Sequence, residues 1–298
     1  MMRITQSMMT SNMMGGLQGN YKRLDKYQEQ MMTQRRINRP SDDPVGVAGA
    51  LQYRSQITAT TQFEQNAEDA NSWLKYGDTV LMETTQIIQR LAELAVQGST
   101  ETTPADARVN IAAEVEQLYN QLVSLGNAQF KGKYIFNGER TDQRPFPDDP
   151  TQTPYDLDKG VVMYQVGAGI TFPVNTLGEE VFGAFGDPSG IFVVVDNFRQ
   201  ALLADDTAGI SAAIPALQKN LETTIIAQAE IGGRQNRLEF TLSRLGDLNI
   251  NYMDLQSKVE DADISKVIIE LKTAESIYQA SLDTMARIIR PSLVDFLR

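Results

Sequence analysis

Apolar side chains recur at alternating spacings of four and three residues at both ends of the chain. Such spacing places a narrow apolar stripe on one face of a helix, and that stripe must be buried against another helix. We therefore predict that the N- and C-terminal helices pair as a coiled coil, with the middle of the chain inserted between them. The N-terminal stripe is Leu17, Tyr21, Leu24, Gln28, Met31 and Arg35. The C-terminal stripe is Leu245, Leu248, Tyr252, Leu255, Val259, Ala262, Val267, Leu271, Ala274, Tyr278, Leu282 and Met285.

The first helix is predicted to cover about Leu17 to Ile37 and to end in a proline-containing connector. Pro40 forces the preceding residue toward extended geometry, Ser41 or Asp42 can cap a new helix, and Pro44 suits that helix's first turn. A long second helix then runs to about Gln97, with a regular stripe of apolar and small residues. The stripe is Phe63, Ala67, Ala70, Leu74, Gly77, Leu81, Thr84, Ile88, Leu91 and Ala95.

A third helix is predicted to end near Leu125 and to fold back antiparallel on the second. The pattern then changes to short β-rich runs at 134–136, 161–164 and 170–172, which are typical of hairpins. Helix returns near 192–203. A long helix follows from about Ile210 to the end, with an interruption near Asp261.

The predicted fold is therefore mainly α. We expect an elongated helical bundle, with N- and C-terminal helices paired as a coiled coil and a small β-rich insertion. Residues 1–40 and 250–298 would form a terminal coiled-coil domain. Residues 41–139 and 191–249 would form a helical bundle domain, and residues 140–190 the inserted β-rich domain.

Composition disfavours an enzyme. The chain has no cysteine and no histidine, so it lacks the commonest general base, the commonest metal ligand and any disulfide.

The net charge is −11. Residues 1–40 carry seven basic and two acidic side chains, so the excess acid lies in the body and argues against a nucleic-acid partner. No apolar run reaches the ~18–20 residues that span a bilayer, and the N-terminal sequence does not resemble a cleaved secretory signal. We expect no membrane partner.

Two short motifs resemble ligand sites but depart from them. The segment Gly126–Lys133 has five residues between its glycines where a phosphate loop needs four, and Tyr134 replaces the magnesium-binding hydroxyl. A helix end leading into a strand explains it better. The segment Asp261–Ser265 begins like a calcium loop, but Lys266 replaces the required glycine. A helix cap or bend is preferred there, and no cofactor or metal site is predicted.

Motifs at both ends together resemble the flagellin superfamily. They are the start MRIT, the segment RRINRPSDDPVGVAGALQYRSQI, and the C-terminal segment VEDADISKVIIELKTAESIYQASLDTMARIIRPSLVDFL. Two departures from flagellin itself favour the family's hook–filament junction proteins. Pro40-Ser41 stands where flagellin has an alanine pair, and Ile289–Leu293 replaces its usual C-terminal pattern.

The resemblance implies a structural, non-enzymatic component of the bacterial flagellum, exported unfolded by the type III route without signal cleavage. The terminal helices would pair on assembly, and copies of the chain would form a ring outside the cell at the hook–filament junction. Implied partners are further copies, the other junction protein, flagellin, and an export chaperone at the C-terminal helix. The alternatives are flagellin itself or, from another class, an autonomous secreted effector or enzyme built on a helical bundle.

Two sets of residues are predicted to take part in assembly, one at a hinge and one in contacts between subunits. The resemblance implies an inner tube of paired terminal helices and a middle shell of the remaining helices, and Arg36, Asn38, Asp42 and Asp43 would fix the hinge between them. The predicted subunit contacts are Leu17, Leu24, Met31, Leu255, Val259, Leu271, Tyr278 and Leu282.

Overall fold

The structure, a computed structural model, describes residues 6–100 and 104–288. The MRIT start and Ile289–Leu293, which carry part of the resemblance, lie outside the described residues. The prediction of a mainly α fold with a small β insertion is confirmed. The elements are α1 (Gln6–Thr33), α2 (Pro44–Ser99), α3 (Ala105–Gly126), β1 (Gln129–Phe130), β2 (Lys133–Tyr134), β3 (Met163–Gly167), β4 (Ile170–Pro173), α4 (Gly178–Phe182), α5 (Ile191–Leu203), α6 (Thr207–Glu260) and α7 (Ile264–Ile288).

The described residues fall into two compact units. One unit holds the residues up to Ala59 together with those from Leu248 onward, and the other holds Thr60–Asp247. Helices α2 and α6 each contribute residues to both units. The three-domain division made from the sequence stays a prediction.

The core of the Thr60–Asp247 unit is formed by the predicted stripe of α2. That stripe is buried from Ala67 to Ala95. An added Cβ at Gly77 would lie 3.6 Å from Ile231 Cδ1 on α6, so the two helices approach closely at this level. Helix α6 supplies buried residues seven apart, which is the repeat that keeps a seam facing one partner. They are Ile210, Leu217, Thr224, Ile231 and Leu238.

Helix α3 lies antiparallel to α2, as predicted. Arg108 Nε donates to the Gly98 carbonyl at 3.1 Å near one end of the pair. Arg90 Nε donates to Glu114 Oε1 at 2.8 Å further along. Because the residue number rises on one helix as it falls on the other, the chain reverses between them.

The inserted segment holds less strand than the sequence predicted. Strands β3 and β4 form the expected hairpin, in which Tyr164 pairs with Phe172. The run 134–136 contributes only Tyr134 to a strand. Phe136 instead enters a buried aromatic cluster, with its ring centroid 5.2 Å from that of Phe182. The short helix α4 was not predicted, because five residues carry too little periodicity to identify a helix.

The first helix was predicted at Leu17–Ile37 and lies instead at Gln6–Thr33. It ends early because Gln34 adopts a positive φ of 58° and Arg35 forms a β-bridge with Asp261. A left-handed residue cannot continue an α-helix. The predicted interruption near Asp261 is confirmed, since α6 ends at Glu260 and α7 begins at Ile264.

Candidate assembly interface

The two ends of the chain pair through α1 and α7, as the apolar stripes predicted. Asn20 Nδ2 donates a hydrogen bond to Ser281 Oγ at 2.6 Å. The rings of Tyr21 and Tyr278 lie 6.0 Å apart between centroids. Tyr27 contacts Glu270. These contacts order the helices antiparallel, because they step forward along α1 and backward along α7.

Tyr27 and Glu270 form a polar contact inside this pair. Burial of the phenol raises the pKa of Tyr27 above its ordinary value, and the charge of Glu270 and their hydrogen bond raise it further. The phenol donates this hydrogen bond, because the carboxylate of Glu270 can only accept one. A polar contact of this kind fixes the register of two helices more than it stabilises them.

Polar residues hold positions on α1 that the apolar pattern had assigned otherwise. Gln28, in the predicted stripe, is exposed, while Tyr27 is half-buried and Gln30 is buried. Gln30 is buried because its side-chain amide donates to the Arg36 carbonyl at 2.9 Å. A stripe read from apolar residues alone cannot detect such positions.

The eight predicted contact residues divide by exposure. Met31 and Leu282 remain 38% and 41% exposed. They are therefore free to meet another chain, whereas the half-buried ones also serve contacts within this chain. The assignment of all eight to subunit contacts stays a prediction. The half-buried residues are Leu17, Leu24, Leu255, Val259, Leu271 and Tyr278.

A groove of about 390 Å³ runs between α1 and α7. Its walls include Met13 and Leu17 from α1 and Ile277 and Met285 from α7. Methionine adapts its shape to irregular partners. The groove could therefore accept an apolar side chain from outside the pair.

Many large apolar side chains around the terminal pair face solvent. Exposed apolar surface marks an interaction site where it adds up to a large area. A two-helix pair cannot cover these side chains by itself, so we expect a further chain to cover them. In this unit they are Met8, Met9, Met14, Tyr21, Met31, Met32, Val45, Leu51, Leu248, Ile250, Met253, Ile268, Ile269, Ile277 and Leu282.

The connector between α1 and α2 is organised by Asp42. Its Oδ2 accepts the backbone N–H of Arg39 at 3.0 Å and of Asn38 at 3.3 Å. Lys26 Nζ lies 3.5 Å from its Oδ1. Burial acts to raise the pKa of Asp42, but these backbone donors and Lys26 outweigh it and hold the pKa below its ordinary value.

Asp43 caps the first turn of α2, so the prediction of a cap at Ser41 or Asp42 was wrong by one or two residues. Its Oδ1 accepts the Gly46 N–H at 2.9 Å, and its Oδ2 lies 3.3 Å from Arg36 Nη1. The Gly46 bond is the main cause of a lowered pKa at Asp43, and Arg36 adds to it. A Cβ at Gly46 would lie 2.6 Å from both Asp43 Oδ2 and Ile37 Cδ1. A methyl group at this position would therefore push the ends of these two side chains aside.

The break between α6 and α7 is bonded directly to this connector. Arg36 N donates to the Glu260 carbonyl at 2.7 Å, and Arg36 Nη2 donates to the Val259 carbonyl at 2.8 Å. Ala262 N donates to the Gln34 carbonyl at 3.0 Å. The structure thus brings together Arg36 with Asp43, and separately Asn38 with Asp42. The hinge role of these four residues stays a prediction.

Sequence reasoning missed Glu260. Its side chain is 2% exposed and pairs with the guanidinium groups of Arg35 and Arg54. Gln256 Nε2 also donates to it at 2.9 Å. No spacing rule links residues about 200 positions apart. The only available signal was an acidic residue at the predicted helix break.

The two rejected motifs behave as the sequence predicted. Gly126 ends α3, and Asn127 caps it before β1. Asp263 Oδ1 accepts the Lys266 N–H at 3.2 Å, so this acidic segment caps α7. Within residues 6–100 and 104–288, no group of three or more acidic side chains could hold a metal ion. No helix of that same part of the chain is long and apolar enough to cross a membrane.

Comparison with known proteins places both ends of the chain in one family. Residues 4–141 match the family model of the bacterial flagellin N-terminal helical region, and residues 214–297 match that of the flagellin C-terminal helical region. Together these matches span most of the chain, including the paired helices α1 and α7.

The similar proteins include both hook-associated proteins and flagellins. The chain is 27% identical to flagellar hook-associated protein 3 of Escherichia coli K12, over 95% of this chain and 96% of that protein. It is 28% identical to flagellin of Bacillus subtilis strain 168, over 96% of each. A solved structure of a hook-associated protein from Vibrio parahaemolyticus, itself described as putative, has a similar fold. Its TM-score is 0.69 at 19% identity, over 74% of this chain and 100% of that one.

Proposed function

The chain belongs to the flagellin family, and on this premise we propose that it is a structural subunit of the hook–filament junction of the bacterial flagellum. It would act by joining further copies and neighbouring flagellar proteins through its terminal helices. The proposal describes a binding and assembly function, with no chemical reaction.

One observation carries the proposal. The paired helices α1 and α7 leave large apolar side chains in solvent, among them Met32 at 84% and Ile269 at 67% exposed. Fully burying an apolar side chain of this size stabilises by about 1.5–3 kcal/mol. Addition to a growing assembly would supply that burial, because neighbouring copies would present the same helices. The two-helix pair would thus be stabilised further by its partners.

The choice of a junction protein over a filament subunit rests on the connector. Identity to the two kinds of relative is nearly equal, so it does not separate them. The segment Pro40-Ser41 replaces the alanine pair expected in flagellin. Asp42 N donates to the Arg39 carbonyl at 2.9 Å, which closes a turn with Pro40 at its second position. Proline is favoured there because its fixed φ matches the turn.

The proposed position at the hook–filament junction implies which proteins the chain would contact. The ring would contact the other hook-associated junction protein on the hook side and flagellin on the filament side. Before assembly, we expect an export chaperone to bind α7, where Ile268, Ile269 and Leu282 are exposed. Helices with one apolar face dock into grooves of such partners.

A deletion strain tests this function directly. Cells lacking the chain should build hooks, fail to attach filaments and release unpolymerised flagellin into the medium. A plasmid copy of the chain should restore filaments. Normal filaments in the deletion strain would refute the proposal.

Immunogold labelling separates the proposal from the flagellin alternative. An antibody against the chain should mark one narrow band at the filament base. Labelling along the whole filament would identify a filament subunit instead. The autonomous effector alternative predicts a protein that acts without flagella, so a strain with intact motility after deletion would favour it.

A further inference from the structure

Glu260 holds an almost fully buried negative charge at the junction of three segments. Its side chain is 2% exposed. Arg54 on α2 pairs with this carboxylate. Arg35, in the connector after α1, places its Nη1 3.0 Å from Glu260 Oε1. A buried carboxylate is costly unless it is paired and hydrogen-bonded. Here two guanidinium groups and the Gln256 amide meet that requirement.

The backbone of Glu260 is used as well. Its carbonyl accepts the Arg36 N–H at 2.7 Å. One turn of chain around Glu260 is therefore bonded to both the α1–α2 connector and α2. Since α7 begins four residues later, these bonds set the direction in which α7 leaves the end of α6.

Stability alone does not explain such an arrangement. Only the carboxylate end of these pairs is buried, because the Arg35 and Arg54 side chains are 49% and 44% exposed. Such half-exposed pairs add little stability, although removing a partner leaves the buried carboxylate less well compensated. The arrangement instead fixes one geometry among several that apolar contacts would allow.

We propose that Glu260 is a positioning residue for assembly. Its pairs with Arg35 and Arg54 lock the break between α6 and α7 to the connector, so that α1 and α7 reach neighbouring copies in one orientation. This inference rests on the proposed function, because it concerns how the same terminal pair is presented.

Amide hydrogen exchange in the purified full chain tests whether Glu260 holds the break between α6 and α7 to the connector. This measurement needs no flagella. Glu260→Gln keeps the side-chain shape and removes the charge, so the amides of Arg36 and Ala262 should exchange at least about tenfold faster. Amides in the buried part of α2 near Leu81 should not change, which also confirms that the variant folds. Asp254→Asn is the matched control, because Asp254 pairs on the surface with Lys258 at 2.7 Å. Unchanged exchange at Arg36 and Ala262 in Glu260→Gln would overturn the lock.

Filament attachment in the deletion strain then tests its role in assembly. Glu260→Gln and Arg54→Gln should each lower the number of attached filaments about tenfold or more. The double variant should be no worse than the singles, because partners in one interaction are not additive. Wild-type attachment with Glu260→Gln, or a double variant equal to the product of the singles, would overturn the positioning role. If the wild-type copy itself fails to restore filaments, the proposed function fails, while the exchange result still decides the lock.

Discussion

Asn20 Nδ2 donates a hydrogen bond to Ser281 Oγ at 2.6 Å, although 261 positions separate the two residues in sequence. The bond joins the first helix to the last and lies beside the half-buried Leu17. Polar pairs at such positions specify register and alignment at some cost in stability. Tyr27 and Glu270 form a second polar contact of this kind further along the pair. The terminal helices are thus aligned by polar contacts and held by apolar ones.

This relationship predicts a specific cross-link. The chain contains no cysteine, so Asn20→Cys with Ser281→Cys can form only one intramolecular disulfide. The two side chains already touch, so only a small approach of the helices brings the Cβ atoms to the distance of about 3.8 Å that a disulfide needs. Mild oxidation of the monomer should give a fast intramolecular product, seen as a mobility shift in non-reducing gels.

Gln18→Cys with Ser281→Cys is the matched control. Gln18 is exposed and lies two residues from Asn20, so it points away from α7. It should cross-link much more slowly. Equal rates for the two variants would mean that α1 and α7 do not hold this register in the free chain.

The buried stripe of α2 predicts a large loss of stability on truncation. Leu81 is fully buried, so Leu81→Ala should lower the free energy of unfolding by about 2–5 kcal/mol. Its neighbour Met82 is 47% exposed, and Met82→Ala should change it by less than about 0.5 kcal/mol. Urea unfolding followed by circular dichroism measures both. Similar losses in the two variants would contradict the assigned helix face.

The sequence predicted those parts of the fold in which buried residues recur at a fixed spacing. The spacing of Leu74, Leu81, Ile88 and Ala95 requires only local counting, and the helix carrying them ends within two residues of the predicted position. The pairing of α1 with α7 followed in the same way, because two unsatisfied stripes need each other.

The remainder depends on single long-range contacts. Thr33 ends α1 because Arg35 bridges to Asp261, and no local pattern encodes that bridge. Glu260 escaped notice because its arginine partners lie in other segments. Of the candidate site, Pro40 and Pro44 indicated a capped helix start, but the cap predicted at Ser41 or Asp42 lies at Asp43. The contacts of Glu260 beside this connector could not be predicted at all.

The connector should weaken in acid. The pKa values of Asp42 and Asp43 are lowered in the folded chain, relative to about 3.9 in an unfolded one. A lowered pKa contributes stability that is present above about pH 4 and is lost as the pH falls through the folded value. Carbon-detected NMR of the two carboxyl groups should give midpoints below about 3.9. Midpoints at or above that value would show that the backbone N–H bonds to these residues are absent.

Asp43→Ala tests the cap in assembly. The change removes the acceptor for the Gly46 N–H and the partner of Arg36. Because the core of the Thr60–Asp247 unit does not involve Asp43, its unfolding should be unchanged. Filament attachment in the deletion strain should fall. Asp25→Ala, on the exposed side of α1, is the control, and normal attachment with Asp43→Ala would remove Asp43 from the hinge.

The solvent side of α7 should make contacts between copies. Leu282 and Ile269 are 41% and 67% exposed, so Leu282→Gln and Ile269→Gln should leave the helix content of the monomer unchanged. Each loses apolar burial in the assembly, which at about 1.5–3 kcal/mol is roughly tenfold or more in affinity. Quantitative immunoblots of isolated hook–filament structures should show that loss. Lys272→Gln removes only a surface pair with Glu275, which contributes at most about 1 kcal/mol, and should incorporate normally. Incorporation of Leu282→Gln and Ile269→Gln at the level of Lys272→Gln would mean that these two side chains remain uncovered in the assembly.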